Sequence, residues 1–324
     1  MTTIANPPAT KPAASKLPAN LPLNLPPTMR ILERGWLSSN NILFLGREQT
    51  ALVDSGYATH APQTLALVRH GLQGRRLDWL INTHLHSDHC GGNAALQAEY
   101  ACRTTIPAAE AGKVRDWDLE ALSFAATGQQ CPRFRYDDTL NPGAVVVLGD
   151  MDWQVLGAPG HDPHSLILYC PQERILISAD ALWENGFGVI FPELEGESGF
   201  DETRATLDLI ARLDVRLVIP GHGAPFAGIG AALERARSRL DYLAADPVRN
   251  AQNAVKVLLK FWLLERQVIA LDELPQLLSG IRLIVESNRR YLRHSMPELV
   301  QWLVAQLVRA GVAEVVDGKL VDRG

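Results

Sequence analysis

Short apolar runs separated by turn residues, and stretches of helical period, alternate over most of the chain. Met29–Leu32, Asn41–Leu45 and Thr50–Val53 are β-rich runs broken at turn residues such as Gly46, which predicts an antiparallel start to a sheet. Apolar runs at Trp79–Ile81, Val145–Leu148, Trp153–Leu156, Leu166–Tyr169, Ile175–Ile177 and Leu217–Ile219 predict further strands. Helical stretches such as Pro62–His70 and Glu202–Leu213 lie between some of them. Strands first, then strands mixed with helices, predicts an α/β (α+β) class with sheets covered by helices, not a simple alternating parallel fold.

After Gly228 the pattern turns helical. Ile229, Leu233, Ala236, Leu240 and Leu243 form one apolar stripe. Val255, Leu258, Leu259 and Trp262 mark a second helix, and Asp272 is placed to cap a short third one. Ser295 and Glu298 have capping-box spacing ahead of Leu299, Trp302, Leu303 and Leu307, with Gly311 ending that helix. Val315–Val321 reads as a hairpin around Asp317-Gly318. Three regions are therefore expected: a flexible N-terminal arm over 1–28, rich in proline and alanine, a larger domain of sheets and helices over 29–228, and a helical, winged-helix-like domain over 229–324.

Composition narrows the partners. The 324-residue chain is 47% hydrophobic, enough for a substantial core. Its net charge of −5 gives no general attraction to nucleic acid. No apolar run is long enough to span a membrane and no secretory pattern opens the chain, so a cytoplasmic protein is expected. The four cysteines, Cys90, Cys102, Cys131 and Cys170, lack CxxC spacing and are expected to be reduced thiols.

The chemistry concentrates in Asn82-Thr83-His84-Leu85-His86-Ser87-Asp88-His89, between the strand ending at Ile81 and the glycine pair Gly91-Gly92. Imidazole and carboxylate are ligands for borderline divalent metals, and four of them occupy six positions here. His84 and His86 would serve one metal, Asp88 and His89 another. Pro159-Gly160-His161 and Pro220-Gly221-His222 each follow an apolar strand with the same rigid-then-bending turn, which presents a histidine from a fixed element. Asp180 ends the apolar run Leu176–Ala179, where a buried carboxylate needs a neutralising partner such as a metal.

This HxHxDH motif, followed in order by His161, Asp180 and His222, resembles the metallo-β-lactamase superfamily over roughly Met29 to Phe226. The resemblance implies an αββα sandwich, with His84, His86 and His161 on a first metal, Asp88, His89 and His222 on a second, and Asp180 bridging both. It also implies two divalent ions, zinc first, with iron or manganese as alternatives, that activate a hydroxide nucleophile. Asp88 is then a catalytic residue able to relay the proton. Asp54, in a stretch similar to the family's early Asp-Thr-Gly turn with serine substituted, would support the site from behind its ligands. A small-molecule ester, thioester or lactone is the expected substrate, as in glyoxalase-II-like and lactonase-like branches. An RNA or phosphodiester nuclease and a mono-iron sulfur dioxygenase are the alternatives.

Weaker signals surround this core. His164 sits in a segment that suits a plain loop, and His60, His70 and His294 are expected bystanders. Cys90 is expected to be an inert buried thiol. Trp183, Phe187, Phe191 and Phe200 are candidates for an apolar pocket wall. Arg282, Arg289, Arg290 and Arg293 form the one pronounced basic cluster, either a solvated helix face or a clamp for an anionic substrate. The capped apolar helix at the C-terminal end suits either subunit contact, as in a homodimer, or capping of the substrate pocket.

Overall fold

The structure, a computed structural model, describes residues 24–324. The expected arm therefore lies outside the described residues except at its end. There Leu25 packs against the core and the Thr28 hydroxyl donates to the Gly149 carbonyl at 2.7 Å.

Two mixed sheets stack face to face. The first has the order β1 (Met29–Leu32), β2 (Asn41–Leu45), β3 (Thr50–Val53), β4 (Trp79–Ile81), β5 (Arg103–Pro107) and β6 (Asp138–Leu140). The second contains β7 (Val145–Leu148), β8 (Met151–Gly157), β9 (Leu166–Cys170), β10 (Ile175–Ala179) and β11 (Leu217–Pro220), lying side by side from β7 to β11. Because side chains alternate across a strand, each run sorts its residues between two cores. Ile42, Phe44, Ala51, Val53, Trp79 and Ile81 face Trp153, Val155, Leu166, Leu168, Ile175, Ile177 and Ile219 between the sheets. Leu43, Leu52 and Leu80 turn the other way, onto helix Ala61–Leu72 with its residues Val68 and Leu72. Ile167, Leu176 and Val218 likewise face helix Phe200–Ala211 and helix Ile229–Ala244. Burial on both faces explains why these strands read as continuous apolar runs. The layers are helix, sheet, sheet, helix, as expected from the sequence.

The strands β5 and β6 escaped the sequence reading. β5 carries Thr104 and Thr105, polar residues that are nonetheless buried, because their hydroxyls accept from Gln97 Nε2 at 2.7 Å and Trp79 Nε1 at 2.8 Å. Satisfied hydroxyls can be buried at little cost, so apolar periodicity alone does not reveal such a strand.

The expected stripe Leu233, Ala236, Leu240 and Leu243 is buried against the second sheet's outer face. Helix Pro247–Arg266 starts at Asp246, whose carboxylate accepts the Val248 N–H at 3.0 Å. A separate core gathers Ala251, Val255, Leu258, Leu259 and Leu263 with Leu299, Leu303 and Leu307. The capping box at Ser295 and Glu298 opens helix Met296–Arg309. Asp272 does not cap the short helix Leu274–Ser279: Glu273 takes the N-cap position without a side-chain bond, its own N–H turned back to the Ala270 carbonyl. Strand β12 (Val268–Ala270) pairs with β14 (Lys319–Asp322), which also pairs with β13 (Ala313–Val316), giving a three-stranded sheet. The β13–β14 hairpin turns at Asp317 and Gly318, both at positive φ, as a two-residue turn of this hand requires.

Candidate metal centre

Strand direction brings the candidate ligands to one edge. β8 and β10 both run antiparallel to β9, and β10 runs parallel to β11, so all three end on the same side. His161 follows β8, Asp180 follows β10 directly and His222 follows β11. A register shift between Ile177 and Ala179, with Ala179 at φ 45°, turns the end of β10 toward the site. The opposing sheet supplies the loop after β4 and the short helix Ser87–Cys90, which carries Asp88 and His89. All seven residues are brought together.

They form two groups of candidate ligand atoms: His84, His86 and His161, and Asp88, His89, Asp180 and His222. In the first, His84 Nε2 is 3.1 Å from His86 Nδ1, which is 2.7 Å from His161 Nε2. The outer nitrogens decide what faces inward. The Thr83 hydroxyl donates to Asp54 Oδ2 at 2.8 Å, so it accepts from His84 Nδ1 at 3.1 Å. His161 Nδ1 donates to the Val189 carbonyl at 2.5 Å. Both Nε2 atoms are then left as lone pairs aimed at His86, a donor set suited to a divalent cation.

In the second group, His222 Nε2 lies 2.9 Å from Asp88 Oδ2. His89 Nδ1 donates to Asp54 Oδ2 at 2.8 Å, leaving Nε2 buried, without a hydrogen-bond partner, 3.5 Å from Asp180 Oδ1. Asp180 also faces the first group, its Oδ2 being 3.4 Å from His161 Nε2. A Cβ at Gly221 would overlap Asp180 Oδ1, so only glycine allows β11 this close. The orphaned imidazole nitrogen, the converging lone pairs and the glycine-lined cradle all fit metal ions.

The electrostatics divide the two groups. Burial, reinforced by the neighbouring histidines, pushes His84 well below its ordinary value and His161 down to about 4. Burial also lowers His86. Burial opposes ionisation of His89 too, yet the carboxylates of Asp180, Asp54 and Asp88 hold it well above its ordinary value. Against the cost of burial, the neighbouring imidazoles of His222 and His89 keep Asp180 far below the usual carboxylate range. The first group is thus neutral nitrogen and the second is acid-rich.

Asp54 does more than form a turn. Buried at the end of β3, it accepts the Thr83 N–H at 2.9 Å as well as Thr83 Oγ1 and His89 Nδ1. His164 lies in a turn, as its segment suggests, and with Glu110, its hydrogen-bond partner, and Asp162 it makes a third group of candidate ligands beside the site. The sequence reading missed Glu110 and Asp162. His60 instead bonds Ser38 at 2.9 Å, and Cys90 is buried with its thiol pushed well up by that burial.

A cavity of about 110 Å³ opens over the ligands, lined by Trp183, Phe187 and Phe191 as expected, and also by Trp36, Arg239, Val257, Leu258 and Phe261. Phe200 packs in the core instead. Trp36 stacks on the His222 ring, with centroids 5.5 Å apart and planes 4° from parallel. The arginine cluster does not line this cavity: Arg282 pairs with Glu120 and Glu195, and Arg289 and Arg290 pair with Glu286. Internal carboxylates already occupy these three cations.

The fold and this ligand order define the class. The profile of the metallo-beta-lactamase superfamily matches residues 34–222, more than half of the chain, and the chain belongs to that superfamily. It is similar to the hydroxyacylglutathione hydrolase of Rhodopseudomonas palustris (strain HaA2), 32% identical over 142 residues, 44% of this chain and 46% of that protein. It is also similar to the hydroxyacylglutathione hydrolase of Anaeromyxobacter dehalogenans (strain 2CP-C), 34% identical over 201 residues, 59% of this chain and 66% of that protein. The chain thus spans about half the length of the first of these relatives. Among solved structures, a metallo-beta-lactamase family protein from Thermus thermophilus has the same fold, with a TM-score of 0.53 at 18% identity over 92% of this chain and 99% of that one. No helix among the described residues is long and apolar enough to cross a membrane.

Proposed function

We propose that the protein is a hydrolase of a small-molecule ester, thioester or lactone that works with two divalent metal ions, zinc by preference. In this reading His84, His86 and His161 hold one ion, Asp88, His89 and His222 the other, and Asp180 reaches both. The single observation that carries it is Asp180 standing between two sets of inward-facing nitrogens, 3.4 Å from His161 and 3.5 Å from His89. When bound, a pair of such ions lowers the pKa of water toward neutrality and polarises a carbonyl.

The chain's own residues supply the rest. Asp54 and Thr83 fix the ring orientation of His89 and His84 through their outer nitrogens, as residues behind metal ligands do. Asp88 Oδ2 lies 2.9 Å from His222, at the open side of the second group, where it can hold a proton passing to the leaving group. Trp36, Trp183 and Phe187 present apolar surface to an acyl group and exclude water around it. The apolar lining of the cavity suits a small organic substrate. The similarity to hydroxyacylglutathione hydrolases supports a thioester among the three bond types. We also propose that the region from 229 on is a winged-helix-like module that shapes access to the cavity, since Arg239, Val257, Leu258 and Phe261 all come from it.

The test is a panel of thioesters, lactones, carboxylic esters and phosphodiesters assayed with zinc-, iron- and manganese-loaded protein. Hydrolysis of carbonyl substrates by the zinc form, and severe loss of turnover in Asp88→Asn and His222→Ala, is the expected result. Activity confined to phosphodiesters, or near-wild-type rates in both variants, would overturn the proposal.

A further inference from the structure

The cavity over the metal groups contains one cation that no carboxylate among the described residues neutralises. Arg239 projects from helix Ile229–Ala244 into its wall. The other arginines of that helix are occupied: Arg237 pairs with Asp208 at 2.7 Å, and Arg235 donates to the Glu184 carbonyl at 2.9 Å. The only hydrogen bond of Arg239 among the described residues is a long one, Nη2 to Asn253 Oδ1 at 3.4 Å, and its guanidinium lies over the Phe187 ring, 5.5 Å from the centroid. The contrast with Arg34 is informative. That buried arginine is also without a carboxylate among the described residues, but Asn41, Thr64 and Gln63 accept from it at 2.8 to 3.0 Å.

The surroundings hold Arg239 in place. A Cβ at Gly186, which stands at φ 133°, would come within 3.1 Å of Arg239 Cδ and 3.2 Å of Nη1, so the glycine leaves the room the guanidinium uses. A half-buried cation among apolar side chains regains little of its lost hydration from one long bond to Asn253 and one aromatic face, which is costly unless a ligand completes the pairing. The guanidinium offers a planar fork that matches a carboxylate. Lys256, whose charge is disfavoured by burial and by nearby Arg239, does not line this cavity, so the cavity wall itself offers one positive charge, which a singly charged carboxylate matches.

Resting on the hydrolase reading, we propose that Arg239 is the specificity-determining binding residue for the substrate, and that the substrate carries a carboxylate at the end of an apolar chain whose other end reaches the metal groups. Phe187, Val257, Leu258 and Phe261 would enclose the chain between the two ends. The anion clamp thus lies on helix Ile229–Ala244, which covers the second sheet, and not in the Arg282–Arg293 cluster.

Binding tests this independently of turnover. Zinc-loaded protein is titrated with hexanoate, which offers one carboxylate to the metals, and with glutarate, adipate, pimelate and suberate, which offer a second at graded distance. The wild type should bind the best-fitting dicarboxylate at least about tenfold more tightly than hexanoate, the effect of one charge-assisted contact. Arg239→Gln should bring that preference to within about twofold of unity while leaving hexanoate affinity and zinc content unchanged. Arg239→Lys keeps the charge without the fork and should retain part of the preference, which also covers failure of the glutamine variant to fold. No dicarboxylate preference in the wild type, a preference that survives Arg239→Gln, or an equal loss for both ligand types would overturn the proposal. If the preference is present and Arg239-dependent but none of the carbonyl substrates is hydrolysed, the hydrolase reading fails and the anion site stands.

Discussion

Asp54→Asn isolates the support behind the metal groups. Asp54 sits at φ 59°, a left-handed conformation that asparagine tolerates almost as well as aspartate and most other residues do not. The amide therefore changes the chemistry and spares the backbone. In the wild type one carboxylate oxygen accepts the Thr83 N–H at 2.9 Å, and the other accepts Thr83 Oγ1 and His89 Nδ1, both at 2.8 Å. The asparagine oxygen can keep the first bond, but the NH₂ group turns a donor toward the His89 N–H and the Thr83 hydroxyl. Loss of one buried charge-assisted bond and weakening of another should cost roughly 2–4 kcal/mol of stability in the metal-free protein. His89 then loses the partner that fixes its tautomer, and affinity for the second equivalent of zinc should fall about 10–100-fold, the usual consequence of removing such support. Urea unfolding and competitive zinc titration against a chelator measure the two effects. A variant with wild-type affinity for both equivalents would refute the claim that Asp54 orients a ligand, whatever its stability.

The two groups should also differ in proton release. Because the surrounding carboxylates keep His89 protonated at neutral pH while burial keeps His84 and His161 neutral, filling the acid-rich group should release about one proton more than filling the histidine group. Calorimetry in buffers of different ionisation enthalpy reads this, and equal proton counts would contradict it. Since His161 falls from its ordinary 6.5 to about 4, the metal-free fold binds fewer protons there than the unfolded chain, so this residue's contribution to stability is present above 6.5 and is lost as pH drops toward 4. Replacing His161 with glutamine should flatten the acid limb of the metal-free stability profile. Gly221→Ala should abolish tight binding of at least one zinc, because its methyl overlaps Asp180 Oδ1, and full occupancy would count against the close approach. Arg282→Ala removes two half-exposed ion pairs, so it should cost no more than about 1 kcal/mol and leave the preference for dicarboxylates over hexanoate unchanged. A loss of that preference would return the arginine cluster to the cavity.

The ligands were legible because four of them are nearly contiguous and the other three each end an apolar strand, so local sequence and strand direction suffice to gather them. The strands were legible for a related reason: buried on both faces, they read as unbroken apolar runs, as in Leu166–Cys170 and Ile175–Ala179. The stacking of two sheets into a sandwich followed only from the ligand motif's resemblance to the superfamily. Residues whose roles arise from distant packing carried no comparable signal. Trp36 is 52% exposed and looks like a surface aromatic until its ring is seen stacked on His222. Glu110 is one acid among many until the fold sets it against His164. Arg239 lies in a helix with four other charged residues, and only the absence of a carboxylate partner among the described residues marks it out. The arginine cluster is conspicuous in sequence, and of its two readings the structure favours the solvated helix face: its partly exposed arginines pair with Glu120, Glu195 and Glu286.

The proposed hydrolase depends on two metal ions sharing Asp180. Anomalous diffraction at the zinc edge from crystals of zinc-loaded protein should show two peaks, one surrounded by His84, His86 and His161 and one by Asp88, His89 and His222, with Asp180 contacting both. A single peak under metal-replete conditions, or peaks away from these seven residues, would contradict it.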